Sequence, residues 1–165
     1  VFGLNNGMIP IISYNYGAQK PDRMKRTMKL GVMVGCSIMV FCLAIMQVFP
    51  GQILKIFDAT DEMLLMGIPA VRIMSTAFIF AGFSVTCSGM FQAVGKGVYS
   101  MIVSMARQLF VILPVAYFLS KAMNSVNGVW AAFPIAEVFS VIISTIFLLR
   151  VYKKIVKPME SVQRD

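Results

Sequence analysis

The sequence predicts an all-α membrane protein built as an up-and-down bundle of five transmembrane helices. Three observations carry that prediction. The 165-residue chain is 58% hydrophobic, with a mean hydropathy of +0.79 and only 13% charged residues, which lies outside ordinary soluble usage. Its apolar residues gather in runs of the length needed to cross a hydrocarbon core of roughly 30 Å, about 20 residues of helix. Its lysines and arginines sit in the short connections between those runs, concentrated on alternate ones, as in membrane loops. A membrane barrel would show ten-residue alternating strands instead, and the sequence has none.

The first span runs from Val1 to about Ala18 and is only just long enough to cross. It carries Asn5, Asn6, Pro10 and Asn15 where a plain anchor would have leucines, so it is expected to be a kinked helix facing a cavity. The second span, 30–49, is an unbroken apolar run closed by Pro50-Gly51. Its Gly31 and Gly35 form a GxxxG pair, a surface for close packing on another helix; the rest reads as lipid-facing scaffold. The third, about 63–94, is longer than a crossing requires, so it must tilt, kink or begin outside the membrane. The fourth is 98–120 and the fifth 129–149. The connections 19–29, 50–62, 95–97 and 121–128 are short, which makes consecutive helices antiparallel neighbours. Residues 150–165 are expected to be a tail on the same side as the 19–29 loop, solvated and frayed from Lys157 to Asp165.

Charge fixes the orientation. Loops on one side hold Lys20, Arg23, Lys25, Arg26, Lys29, Lys96, Arg150, Lys153, Lys154, Lys157 and Arg164. The other side has Lys55 and Lys121 with Asp58, Asp61 and Glu62. The positive-inside rule therefore places the C-terminus and the loop after the first span in the cytoplasm. The net charge of +8 does not point to nucleic acid, because the cations form no face interleaved with aromatics. The chain has no histidine, and Cys36, Cys42 and Cys87 stand singly inside apolar runs, so no metal cluster or cofactor is expected. No nucleophile–base pair or phosphate loop suggests an enzyme. The chain begins in mid-helix without methionine or a basic leader, and is expected to be the later part of a longer protein.

Polar residues inside the spans show which faces look inward. Ser84, Ser88 and Gln92 recur every four residues and stack on one helical face. Ser100, Ser104 and Gln108 do the same on the fourth span, with Arg107 beside them. Glu137, Ser140 and Ser144 share a stripe on the fifth with Trp130 and Phe133. The cavity-lining candidates are thus Asn5, Asn6, Asn15, Ser84, Ser88, Gln92, Ser104 and Gln108.

Three ionisable residues fall within spans. Arg72 lies near the outer boundary, where its side chain snorkels to water. Arg107 is ~13 Å and Glu137 ~20 Å from the cytoplasmic end at 1.5 Å rise per residue. The difference is within reach of two long side chains, so an Arg107–Glu137 ion pair or water-linked network is expected. The two residues are the candidates for ion coupling, Glu137 as a group able to exchange its proton. Pro10, Pro69, Pro114 and Pro134 bend or break their helices, and the freed carbonyls need partners or water. The 14 methionines and 13 phenylalanines suit a wall that accepts varied apolar ligands, as well as ordinary packing.

Taken together these residues resemble the multidrug and toxic compound extrusion (MATE) transporters. The resemblance is carried by Pro10-Ile-Ile-Ser-Tyr-Asn-Tyr-Gly-Ala18 before a basic loop and by Ile53-Leu-Lys-Ile-Phe-Asp58. It continues through Gly89-Met-Phe-Gln-Ala-Val-Gly-Lys96, Arg107-Gln108 with Pro114 following, and Gly128-Val-Trp-Ala-Ala-Phe-Pro-Ile-Ala-Glu137. It implies a twelve-helix, two-lobe transporter in the bacterial cytoplasmic membrane, of which this chain is the last five helices of the second lobe. It further implies export of small organic cations or amphipathic drugs in exchange for Na+ or H+, with the lipid bilayer and an N-terminal lobe of the same protein as partners. Some members carry an acidic cation-site residue on the helix matching the third span. Residues 67–94 here contain none, which leaves Glu137 as the only acid within the membrane. The other readings are a lipid-linked oligosaccharide or peptidoglycan-precursor flippase of related architecture, and a non-transporting structural membrane subunit.

Overall fold

The computed structural model describes residues 1–162, and among them every regular segment is helical. The first helix, α1 (Phe2–Gly17), keeps Pro10 inside it. At 16 residues it is about 24 Å long by the α-helical rise, short of a bilayer core. The longer α2 (Pro21–Val48) starts on a proline at its first turn, where the missing N–H costs nothing. A short connection, α3 (Pro50–Ile56), leads to α4 (Asp61–Ser75). Thr60 caps α4 by accepting from the Met63 N–H, and Asp61 and Glu62 sit in its first turn, where negative charge favours the helix dipole.

The expected single span over 63–94 is two helices. After α4 the chain breaks at Thr76–Ala77, turns by 52°, and continues as α5 (Phe78–Ala93). Neither proline nor glycine makes this break. Ser75 and Thr76 each donate their hydroxyl back to a carbonyl three residues earlier, Arg72 O at 3.1 Å and Ile73 O at 2.7 Å. Gln47 of α2 donates to the same Arg72 carbonyl at 2.8 Å and to Ser75 Oγ at 3.0 Å. The end of α4 is therefore satisfied inside the protein, as hydrocarbon requires.

A tight turn with Gly95 at φ +72° reverses the chain into α6 (Gly97–Met105). The fourth span then changes pitch, running as a π-helix over Ala106–Ile112 before α7 (Leu113–Met123). Asn124, left-handed at φ 45°, ends α7, and α8 (Asn127–Val151) returns across the bundle. A second π turn, Tyr152–Val156, carries the chain into α9 (Lys157–Val162). The helices Pro21–Val48, Gly97–Met123 and Asn127–Ser161 are each long and apolar enough to cross a membrane, and the bent α4–α5 pair is long and apolar enough for a fourth crossing if its two helices form one span.

Helix α5 is the axis of the bundle, packed against α1, α2, α6 and α8. Small residues let it approach its neighbours. A Cβ on Gly82 would stand 3.0 Å from Cys36 Cα and 3.1 Å from Gly35 O, both backbone atoms of α2. Gly35 in turn faces Thr86. The GxxxG pair of the second span thus meets a small stripe on α5. On α8, Gly128, Ala132, Ala136, Ser140 and Ser144 are all buried at four-residue spacing.

The basic loops gather at one end. There Ile12, Met24, Phe91, Val94, Val151 and Met159 belong to one apolar cluster, and Phe91, Tyr99 and Phe147 stack and cross beside it. The expectation of a frayed tail is corrected through Val162. That stretch is helical, Met159 is only 7% exposed, and Lys25 of α2 pairs with Glu160 at 2.8 Å as well as with Asp22 at 2.8 Å. The pattern Val156 and Met159 inward, Lys153, Lys154 and Lys157 outward makes this an amphipathic helix end. Residues 163–165, with Arg164, lie outside the described residues.

Candidate functional site

Two chambers meet at one ion pair. Arg107 Nη1 donates to Glu137 Oε1 at 2.6 Å, joining the π-helical part of the fourth span to the middle of α8. This is the pairing that helix arithmetic on the sequence anticipates. The π turn places it. With backbone bonds spanning five residues rather than four, the helix widens and its faces rotate. Arg107 and Gln108 fall at the start of that segment.

On one side of the pair lies an apolar chamber of about 420 Å³. Its walls come from α2 (Met39, Met46), the α4–α5 break (Met74, Ser75, Phe78), Phe133 of α8, and Arg107, Gln108 and Glu137. On the other side is a polar chamber of about 330 Å³ between α1, α5, α6 and α8. Asn5, Asn6, Ser84, Ser88, Gln92, Ser104 and Arg107 line it. Among the described residues only Arg107 borders both.

The polar chamber is held by cross-helix hydrogen bonds. Asn5 Nδ2 donates to Val85 O at 2.8 Å, pinning α1 to α5 over Gly89, whose missing side chain makes room for the amide. Ser13 Oγ donates to Ala93 O at 2.9 Å one end further on. Gln92 Nε2 reaches Ser100 Oγ at 3.3 Å across the α5–α6 turn.

Two candidates do not belong to this group. Asn15 is buried with its Nδ2 donating to Ile11 O, one turn back in its own helix, at 2.8 Å; it lines neither chamber. Gln108 faces the apolar chamber rather than standing under Ser104. A four-residue stripe presumes α geometry, and the helix is π from Ala106 onward. Ser144 is fully buried on α8 and also borders neither chamber. Arg72 is exposed at the outer half of the bent span. In α2, Met39 and Met46 line the apolar chamber and Gln47 bonds to the end of α4, beyond the mostly lipid-facing scaffold expected there. The lone amide in a long apolar run was the available signal for Gln47. No residue pattern distinguished Met39 and Met46 from the other methionines.

Among the described residues no group of three or more His, Cys, Asp or Glu could hold a metal ion. The fold and this half-buried charge pair between chambers define a class, the helical membrane proteins with a polar interior. The family follows from sequence. The MatE family model matches residues 1–118, and the chain belongs to that family, one of integral membrane transporters rather than enzymes. Among curated relatives, the multidrug export protein MepA of Staphylococcus haemolyticus is 27% identical over 131 residues, which is 79% of this chain and 28% of that protein. MepA of a Staphylococcus aureus strain is 28% identical over 137 residues, 83% of this chain and 30% of the relative. Among solved structures, a dye complex of the MATE multidrug transporter DinF-BH is 32% identical, with a TM-score of 0.83 over 94% of this chain and 34% of that one. An outward-facing MATE family transporter, at 18% identity, shares the fold with a TM-score of 0.85, covering 97% of this chain and 35% of its own. The chain thus spans about a third of the length of the proteins it matches.

Proposed function

We propose that this chain forms part of one lobe of a transporter that exports small organic cations and amphipathic drugs by Na+ or H+ antiport. The observation that carries the reading is the half-buried Arg107–Glu137 pair at the edge of a chamber walled by Met39, Met46, Met74, Phe78 and Phe133. Thioethers and rings adapt to varied apolar bodies. A single carboxylate among them attracts a cationic head. Membership of the family and the names of the relatives support export of drugs; the residues support where an organic cation would rest.

On this reading Glu137 alternates between its internal partner, a coupling ion and the cationic ligand, so that ligand and ion compete for one group. The bend at Thr76–Ala77 and the π segment that carries Arg107 supply the positions where alternating access would flex the lobe. A partner N-terminal lobe completes the cavity. The loop cations put the basic end, with the C-terminus, at the cytoplasmic face of a bacterial cytoplasmic membrane.

The test is efflux of a fluorescent organic cation from proteoliposomes that hold the full-length protein, with Na+ and pH gradients imposed separately. One gradient is expected to drive efflux, and Glu137→Gln to abolish that dependence. Equal efflux with and without both gradients would remove antiport. Unchanged gradient dependence in Glu137→Gln would remove Glu137 from the coupling.

A further inference from the structure

The two chambers share Arg107 but differ in charge. Glu137 borders the apolar chamber alone, so among the described residues the polar chamber has one ionisable residue in its wall, and that residue is a cation. Its donors are also spare. Hydroxyls on helices usually bond back to the carbonyl four residues earlier, as Thr86 does to Gly82 and Thr145 to Val141. Ser84 and Ser140 do not. Both are buried, at 3% and 1% exposure, and both hydroxyls lack a hydrogen-bond partner while lining this chamber. The Arg107 Nε–H is likewise without one, while its Nη1 is held by Glu137.

We propose that the polar chamber binds the carboxylate group of a small organic molecule, with Ser84 Oγ, Ser140 Oγ and Arg107 Nε as its donors. An ionised carboxylate is an acceptor only, with room for several bonds, and bonds from a guanidinium to it are among the stronger ones. A hard cation would ask for carboxylate oxygens in the wall. That wall has none among the described residues. Size separates the remaining possibilities. About 330 Å³ sits at the lower end of small-molecule pockets, roughly 300–1,000 Å³, and is far more than a halide fills. The site is distinct from the cation position at Glu137, across the ion pair, and its occupancy does not depend on transport.

The experiment is a thermal-stabilisation titration of the full-length protein carrying this chain, purified into nanodiscs. The probes are potassium benzoate, its uncharged isostere benzamide, and potassium chloride at matched ionic strength. Benzoate is expected to act at concentrations at least ten-fold below benzamide, with no shift from chloride. Ser84→Ala/Ser140→Ala is expected to cut that preference at least five-fold. Gln92→Glu, which adds a carboxylate at an exposed position on the chamber wall, is expected to abolish it. The proposal is overturned by a benzoate-to-benzamide ratio near one. It is equally overturned if chloride, or replacement of K+ by Na+, reproduces the shift, or if either variant keeps the wild-type ratio. Should the double serine variant not fold, Gln92→Glu decides alone. Failure of cation efflux leaves these readouts unaffected.

Discussion

Removing either member of the Arg107–Glu137 pair should destabilise the protein unequally. The Glu137 side chain is 10% exposed and the Arg107 side chain 29%. Breaking a buried pair costs about 3–5 kcal/mol because the survivor is left uncompensated, whereas exposed pairs contribute about 0–1 kcal/mol. Arg107→Gln strands the more buried carboxylate, whose Oε2 already lacks a partner, so about 3 kcal/mol is expected. Glu137→Gln strands a guanidinium that borders both chambers and finds water more readily, for about 1.5 kcal/mol by the same interpolation. The double variant removes both charges and should cost no more than the milder single. The resulting coupling energy is then about 3 kcal/mol or slightly more, at the upper end for residues in contact. The assay is thermal unfolding in detergent, read by alkylation of Cys87, which is 2% exposed and so protected until the bundle opens. Two results would refute the reasoning: Glu137→Gln costing as much as Arg107→Gln, or a double variant equal to the sum of the singles.

Other expectations follow from packing. Gly82→Ala drives a Cβ into the α2 backbone and should lose about 1–2 kcal/mol despite the better helix propensity of alanine. Gly97→Ala meets nothing within 4 Å and should be neutral, so equal melting temperatures for the two would contradict the described α2–α5 contact. Gln47→Leu removes both bonds that close the end of α4 and should cost about 1 kcal/mol, given roughly 0.6 kcal/mol per hydrogen bond within membranes; faster amide exchange confined to residues 72–78 is the accompanying sign. At the basic end, Met159→Ala should release the C-terminal helix to protease. Glu160→Gln should barely change cleavage, since its partner Lys25 is 39% exposed and such pairs contribute about 0–1 kcal/mol. The reverse order would mean that charge rather than apolar contact holds the tail.

The fold was legible in the sequence wherever one physical requirement dominated. Hydrocarbon thickness sets the length of the spans and loop cations set their alternation, so the helical segments and their order could be read from the sequence. Of the five spans expected, three helices, or four with the bent α4–α5 pair, are long and apolar enough to cross. The Arg107–Glu137 contact was legible for a related reason. Two charges within apolar runs must find each other, and the rise per residue limits where they can. What stayed hidden depends on features that no apolar count registers. The break at Thr76–Ala77 has no proline or glycine, and its carbonyls are satisfied by the Ser75 and Thr76 hydroxyls together with Gln47, 25 residues away at the nearer bond. The π turn ends two residues before Pro114, so the sequence marks an irregularity there, but not its change of pitch, nor with it the position of Gln108.

Asn5 and Asn15 bring the difference to a single helix. Both are asparagines on α1, both buried, both with an unpartnered Oδ1. Asn15 turns its Nδ2 onto its own helix at Ile11, whereas Asn5 reaches across to Val85 because Gly89 leaves the space. Residue type alone treats them alike. The neighbour decides which amide becomes part of a cavity, and that neighbour, Val85, lies 80 residues away in sequence. The same dependence runs through the site as a whole: the chemistry-bearing residues were readable one helix at a time, while the division into a polar and an apolar chamber arises only when α2, α5 and α8 close around Arg107.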